Sequence, residues 1–325
     1  MSSTGRGRAP TAVAILLTVL LAVLLAVSAP GASSAFTAAT ASPATTTTAT
    51  SSTWFRCQDA AVDARAQHRA PLLWSLQDGS TAALSGRGAG GAAAYAGGVW
   101  DTGTTRGSTT DGPCPRDAQT TGGTGRAVAL GTGSGGAQMQ YATSIAADAV
   151  LSVQLWFRTT TRQGLLVEVR DAAPAAGAPV VRDRVVFLDG SGRVVAGVAP
   201  SGSARVVLRT AVGVDWADGR WHHVALVQSP AGLRLYLDGQ LRADDPAGSR
   251  GSAYTRAVLR VAQDDLSSWA SAGAGPGQLV GDLAWFSAYQ GELSAQEVLE
   301  QCRAGRSAQA LASTGAAPGV AGCPA

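Results

Sequence analysis

The sequence predicts an all-β protein, an antiparallel β-sandwich, and three observations carry that expectation. The composition is poor in helix formers: glutamate occurs only at 168, 292, 297 and 300, while Gly, Thr and Val are abundant, a balance that favours extended structure. From Arg126 onward, short apolar or alternating runs recur between clusters of Gly, Asp, Pro and Ser, the signature of strands joined by turns. Few stretches repeat at the helical period.

The chain opens differently. Arg6 and Arg8 precede an almost wholly apolar stretch from Thr11 to Val27, and Ser33-Ser34-Ala35 follows. This predicts a secretory signal over 1–35, cleaved before Phe36; an uncleaved anchor is the alternative, since about 17 apolar residues is the short end of a membrane span. No second apolar run of that kind follows, so no membrane span is expected once the signal is removed. Residues 36–53, "FTAATASPATTTTATSST", form a Thr/Ala/Ser linker without an apolar pattern. The predicted location is secreted or extracellular, with association to a cell surface as a variant.

Four cysteines, Cys57, Cys114, Cys302 and Cys323, allow three pairings, and none sits in a C-x-x-C pair of the kind that binds zinc. Two early and two late positions suggest Cys57–Cys114 and Cys302–Cys323, bonds that persist in an oxidising compartment. Two of the 25 basic residues lie in the signal, against 22 acidic residues in all. The remainder is close to neutral, which argues against nucleic acid as a partner. Lysine is absent, which excludes Schiff-base and P-loop lysine chemistry.

Order is expected from Trp54, with a short helix over 57–69, then a strand, a Gly-rich turn region and another strand within 72–100. The segment 101–125 is loop. Strands are expected near 126–130, 137–141, 150–158, 164–170, 181–188, 193–198, 205–209, 220–227, 233–238, 256–262 and 278–289. One helix is signposted near the end: Ser294 and Glu297 form a capping box, Leu293 and Val298 the matching staple, and Gly305 offers a stop. The main domain is thus 54–305, with a tail, 306–325, tied by Cys323.

The stretch "DGRWHHVALVQSPAGLRLYLDGQ" (218–240) is a hairpin ending in an Asp238-Gly239 turn. His222 and His223 are neighbours on a strand, so they point to opposite faces and cannot share a metal. Leu233, Leu235 and Leu237 share one face and Arg234, Tyr236 and Asp238 the other, as in a half-buried sheet. His68 has no partner motif.

The same hairpin, W-H-H-V-A-L-V followed by L-R-L-Y-L-D-G, resembles that of LamG-like jelly-roll domains, members of the concanavalin A-like lectin/glucanase superfamily. "GRAVALGTGSGGAQMQY" (125–141) is similar to the family's early strand pair. "LSVQLWFRTTTRQGLLVEV" (151–169) resembles its W-F-R-T strand, and "LVGDLAWFSAYQGELSAQEV" (279–298) its closing strand and helix. The resemblance covers roughly 54–305. It implies a jelly-roll topology, and the early cysteines look similar to those of secreted actinobacterial members. The loop 101–125 and the second cysteine pair depart from the pattern.

Laminarinase-type enzymes of this superfamily carry E-x-D-x-x-E or E-x-D-x-E on one strand face. That constellation is absent: Glu168 and Asp171 are three apart and face opposite sides. No G-x-S-x-G, H-E-x-x-H or Walker motif occurs, so no enzyme is expected and no catalytic residue is assigned. By resemblance to the pentraxin branch, which holds calcium with two ligand groups, Asp183 would stand in one group and Gln263, Asp264 and Asp265 in the other, with Arg184 in place of an amide. Calcium is therefore the candidate cofactor, against an Arg–Asp bridge between loops. "LDGSGR" (188–193) reads as a hairpin turn. Trp156, Trp221 and Trp285 fall in strand patterns and are expected in the core. Trp100, Trp216, Trp269 and Tyr254 fall in or beside loops; Trp269 is the first candidate for stacking on a ligand and Tyr254 the second, against the plainer role of plugging the sandwich rim.

The function expected is a secreted, non-catalytic module that binds a glycan or surface ligand through rim loops. The alternatives are a structural cell-surface or assembly protein that binds other proteins, and a divergent glycosidase.

Overall fold

A computed structural model describes residues 69–74, 95–96, 112–113, 127–130, 138–145, 150–171, 181–200, 204–252, 254–305 and 323. The signal, the linker, all but the last residue of the helix expected over 57–69, Cys57, Cys114, His68, Trp100 and the tail before Cys323 lie outside them; Arg69 begins a strand instead.

Fourteen strands and one α-helix appear among the described residues: β1 (Arg69–Trp74), β2 (Tyr95–Ala96), β3 (Val128–Leu130), β4 (Gln138–Ile145), β5 (Leu151–Arg158), β6 (Gly164–Asp171), β7 (Arg182–Leu188), β8 (Val194–Val198), β9 (Val206–Arg209), β10 (His222–Ser229), β11 (Gly232–Leu237), β12 (Gln240–Asp245), β13 (Tyr254–Val261), β14 (Gly281–Gln290) and α1 (Ala295–Gly305). They make two antiparallel sheets. Sheet A runs β1-β14-β5-β10-β11-β12, with β3 also on β14, and sheet B runs β2-β4-β13-β6-β7-β8-β9.

Alternation places apolar residues between the sheets. Leu151, Val153, Leu155 and Phe157 of β5, Val224 and Leu226 of β10, and Leu233, Leu235 and Leu237 of β11 meet Val186 and Leu188 of β7, Val194, Ala196 and Val198 of β8, and Leu259 and Val261 of β13 in one core. Each such side chain contributes about 1.5–3 kcal/mol by leaving water. β14 breaks the alternation once. Its register slips between Ala284 and Ser287, and Trp285 there has φ 49°. The bulge sends Ala284 and Trp285 to the outer side and Phe286 to the core.

The outer face of sheet A is where the half-buried expectation fails. Tyr236 is 2% exposed, because Val298 of α1 and Leu293 pack with it and with Tyr289, Ala225 and Val227; Asp238, 4% exposed, is taken up by His222 Nδ1 and the His223 amide. The helix begins as expected, with Ser294 Oγ accepting from the Glu297 amide (3.2 Å) and Glu297 Oε2 accepting from the Ser294 amide (2.7 Å). Its C-terminal turn covers Trp156, Trp221 and Trp285, and the Cys302–Cys323 bond forms, with Cα atoms 5.9 Å apart. β12 escaped the sequence reading. It follows a two-residue turn with φ 52° at Asp238 and 75° at Gly239, the hairpin geometry that Asp-Gly suits, but its residues are largely exposed and carry no apolar alternation.

Sheet B is covered too. The 3-10 segment Ser267–Ala272 lays Leu266, Trp269 and Ala272 over Leu165, Val185, Phe187 and Val195. A Cβ on Gly197 would sit 2.5 Å from Trp269 Cζ3 and 3.1 Å from the Val206 carbonyl oxygen, so only glycine lets the indole lie on β8. Gly197→Ala is therefore expected to lower stability by about 1–3 kcal/mol, read from urea melts; an unchanged midpoint would mean that the ring is not held there.

Candidate functional site

The charged residues of sheet B gather at one place. Glu168 and Arg170 project from the outer face of β6; Arg260 stands opposite Glu168 on β13, and Arg182 opposite Arg170 on β7. After β13, Asp264 returns over this face, one helical-turn spacing beyond Arg260. Arg170 Nη1 lies 3.1 Å from Asp264 Oδ2, Arg260 Nη1 3.2 Å from the same oxygen, and Arg182 Nη2 3.4 Å from Oδ1. Arg182 Nη2 also reaches Asp265 Oδ2 at 3.4 Å. Two arginines directly opposite one another repel; the carboxylate of Asp264 is what lets them coexist.

Glu168 is 1% exposed. Neither of its oxygens has a hydrogen-bond partner of ordinary geometry among the described residues, and its carboxyl lies beside that of Asp264. Burial, then the hydrogen bond to and the charge of Asp264, push Glu168 up to about 9, against the pull of Arg182 and Arg170. Asp264 moves the other way. Burial opposes its ionisation, but the Glu168 hydrogen bond, the Asp265 amide, Arg260 and Arg170 hold it below the usual carboxylate range. Glu168 therefore holds its proton through neutral pH.

A second buried ion pair stands nearby on β7 and faces elsewhere. Asp183 Oδ2 accepts from Arg184 Nη1 at 2.6 Å and from the Ser252 amide at 2.7 Å, while Oδ1 accepts from the Ala199 amide at 3.1 Å. Arg184 Nε donates to Gln228 Oε1 on β10, so the pair bridges the two sheets. Burial pushes Asp183 up to about 6, against Arg184 and the two amides.

The calcium set therefore divides. Asp183 is enclosed by Arg184, Ser252 and Ala199; Asp264 is enclosed by three guanidiniums and Glu168; Asp265 is exposed and accepts from Ser267; Gln263 is half-buried beside them. Among the described residues no three His, Cys, Asp or Glu side chains are placed to hold a metal ion. The donors facing these carboxylates are positive or N–H groups, so the arrangement does not fit a hard cation that wants six to eight oxygens. Arg184 pairs with its neighbour Asp183 and not with Asp264 or Asp265, and Asp264 is met by Arg170, Arg182 and Arg260 from three strands.

The ligand-stacking expectation for Trp269 is corrected. Its ring is 0% exposed, seated on Gly197 with the Arg205 guanidinium 4.9 Å from the ring centre, so no face is open to a sugar. Tyr254 begins β13 opposite Ile145, and its side chain lies outside the described residues. Trp216 is 6% exposed; it packs edge-on against His222, ring centres 4.9 Å apart. Trp156, Trp221 and Trp285 are buried, as expected.

The two histidines do point to opposite faces and serve the fold. His222 Nδ1 lies 2.9 Å from Asp238 Oδ2, and Nε2 3.0 Å from Asp218 Oδ1. Burial pulls its pKa down, but the bonds to and charges of these two aspartates together outweigh burial and raise it. His223 Nε2 donates to Gln154 Oε1 at 2.9 Å, and complete burial lowers its pKa to about 4 in spite of Asp238.

Sequence reasoning missed Arg170, Arg182 and Arg260. The available signal was a charge inside apolar strands: Arg170 two residues after Glu168 in "VEVRD", Arg260 in "VLRVAQDD".

A family profile described as the concanavalin A-like lectin/glucanases superfamily matches residues 130–299. No curated protein sequence matches the chain. Among solved structures, domain 4 of AbnA, a GH43 extracellular arabinanase from Geobacillus stearothermophilus in complex with arabinotriose, is 12% identical with a TM-score of 0.46, over 72% of this chain and 98% of that one. The native heptameric SAP-like pentraxin from Limulus polyphemus is 14% identical, TM-score 0.38, over 52% and 77%. The botulinum neurotoxin type G receptor binding domain is 13% identical, TM-score 0.43, over 72% of this chain and only 51% of its own.

Two outcomes follow from the carboxylates. Between about pH 4.5 and 9 the folded chain keeps a proton on Glu168 that the unfolded chain has released, so stability falls as pH rises through that window, by at most about 1.4 kcal/mol per pH unit. Glu168→Gln keeps a donor toward Asp264 and removes that slope, so its advantage over the parent grows toward pH 9 in denaturant melts; parallel pH profiles would refute the proton on Glu168. Millimolar calcium is expected to leave the unfolding temperature where EDTA leaves it. A rise of roughly 5–10 °C, lost in Asp183→Ala and in Asp264→Ala, would instead assign these residues to a cation.

Proposed function

We propose that this chain, which belongs to the concanavalin A-like lectin/glucanases superfamily, is a secreted, non-catalytic binding module that recognises a glycan. The observation that carries the non-catalytic part is the state of Glu168, the one glutamate on a described strand. It is 1% exposed, and burial keeps its carboxyl protonated up to about pH 9. Glycoside hydrolysis needs two carboxyl groups flanking an open gap, about 5–5.5 Å apart for retention and about 6.5–9.5 Å for inversion. A glutamate so enclosed presents no face to a glycosidic bond.

Export is supported by the apolar leader and by the Cys302–Cys323 bond, which lasts in an oxidising compartment. No described helix is long and apolar enough to cross a membrane. A second reading, an assembly protein that binds other proteins, draws on the β9–β10 loop, where Val212 is 85% and Val214 42% exposed.

The test pairs a glycan array with a reducing-end assay on β-glucans, using the purified protein. Retention of at least one glycan class with no release of reducing ends is expected. Hydrolysis that disappears in Glu168→Gln would replace the binding reading with a glycosidase, and an empty array would favour the assembly reading.

A further inference from the structure

Among the described residues, His222 is the imidazole with a carboxylate on each ring nitrogen: Nδ1 lies 2.9 Å from Asp238 Oδ2 and Nε2 3.0 Å from Asp218 Oδ1. The two acids belong to separate segments. Asp238 stands in the β11–β12 turn and Asp218 on the β9–β10 loop, so one ring ties the loop to the turn. Trp216 of the same loop packs edge-on against that ring, and Phe157 of β5, its centre 5.7 Å away, brings no charge. Two cations stand one contact removed: Arg220 Nε is 3.8 Å from Asp218 Oδ2, and the Arg242 guanidinium is 5.6 Å from the centre of the Trp216 ring.

Ionised carboxylates only accept hydrogen bonds, so both contacts are bonds only while the imidazole carries two protons. A neutral ring keeps one N–H and turns the lone pair of its other nitrogen toward an anionic oxygen. The two acids do not bear that loss equally. Asp238 is 4% exposed and its other oxygen already accepts from the His223 amide at 2.9 Å; without the ring it would be a buried acceptor short of a donor. The Asp218 side chain keeps 33% of its surface, and its Oδ1 also accepts from the Arg220 amide at 2.8 Å, so solvent can replace the ring there.

We propose that His222 is a proton-operated latch on the β9–β10 loop: the imidazolium fastens Asp218 of the loop to Asp238 of the turn, and loss of one proton releases Asp218 while Asp238 stays bound. The proton leaves Nε2 for solvent and Nδ1 keeps its own. Burial opposes the charge on His222, but the bonds to and charges of Asp238 and Asp218 outweigh it and raise the pKa above the ordinary 6.5. The latch is therefore closed below about pH 6.5 and opens as pH rises through the raised value. It acts on the loop that carries Val212, at 85% the most exposed large apolar side chain among the described residues. The device is independent of the glycan-binding reading.

Global melts would not isolate the latch, since Glu168 lowers stability over the same range, so the test uses two local readouts on the purified full chain. The first follows the ring nitrogens of His222 by NMR from about pH 6 to about pH 9. Loss of the Nε2 proton with a midpoint above 6.5 is expected; loss from Nδ1, or a midpoint at or below that value, would overturn the latch. The second is hydrogen exchange of the loop amides of Trp216 and Gly219, which donate to the Gly192 and Thr159 carbonyls, with the intrinsic rise of exchange with pH divided out. Their protection is expected to fall several-fold across the range, while the Ser229–Gly232 turn holds steady. Asp218→Asn supplies an amide that can donate to a neutral Nε2 or accept from a protonated one, so it should keep the loop protected at both ends of the range and lower the His222 midpoint. Loop protection that does not change with pH in the parent, or that falls equally in Asp218→Asn, would sink the idea.

Discussion

With Trp269 and its neighbours lying over part of sheet B, and α1 over part of sheet A, water is removed from much of the outer faces as well as from the space between the sheets. A charged side chain on a central strand must then find a partner or give up its charge. Each buried polar group answers in one of those ways. Asp183 and Arg184 pair across the inter-sheet space with Gln228 as a third member. His222 lies between two aspartates that raise its pKa, while His223, one residue along, is neutral against a carboxamide. Glu168 gives up its charge so that Asp264 can keep its own.

Much of the fold was legible because period-two alternation is a direct imprint of a buried inner face. The strands around Leu151–Phe157, Val224–Leu226 and Leu233–Leu237 follow it, and the Ser294–Glu297 box marks the helix by local chemistry alone. β12 was not legible, since its exposed polar residues leave no such imprint; the Asp238-Gly239 turn was its only trace. The coverage of the outer faces was not legible either. Tyr236 and Trp269 look like surface residues until α1 and the Ser267–Ala272 segment, distant in sequence, are laid over them.

The site was legible only in fragments. Asp183, Asp264 and Asp265 were singled out as oxygen donors, yet what surrounds them is cationic. Their arginine partners sit on other strands, and strand pairing, not spacing along the chain, brings Arg260 beside Glu168 and Arg170 beside Arg182. An acid on a loop reads the same in sequence whether a metal or a guanidinium faces it. The cross-strand register decides between them.

The roof of sheet A also sets an order in time. α1 follows β14, the last strand, so a chain made from its N-terminus has all the described strands available before the helix that shelters Trp156, Tyr236 and Tyr289 exists. Until then the sandwich presents an aromatic surface to its surroundings, the kind of transient exposure that drives association between incomplete chains. Closing of the helix, followed by the bond to Cys323, ends that interval. The helix that follows β14 thus shelters a face that the strands alone leave open.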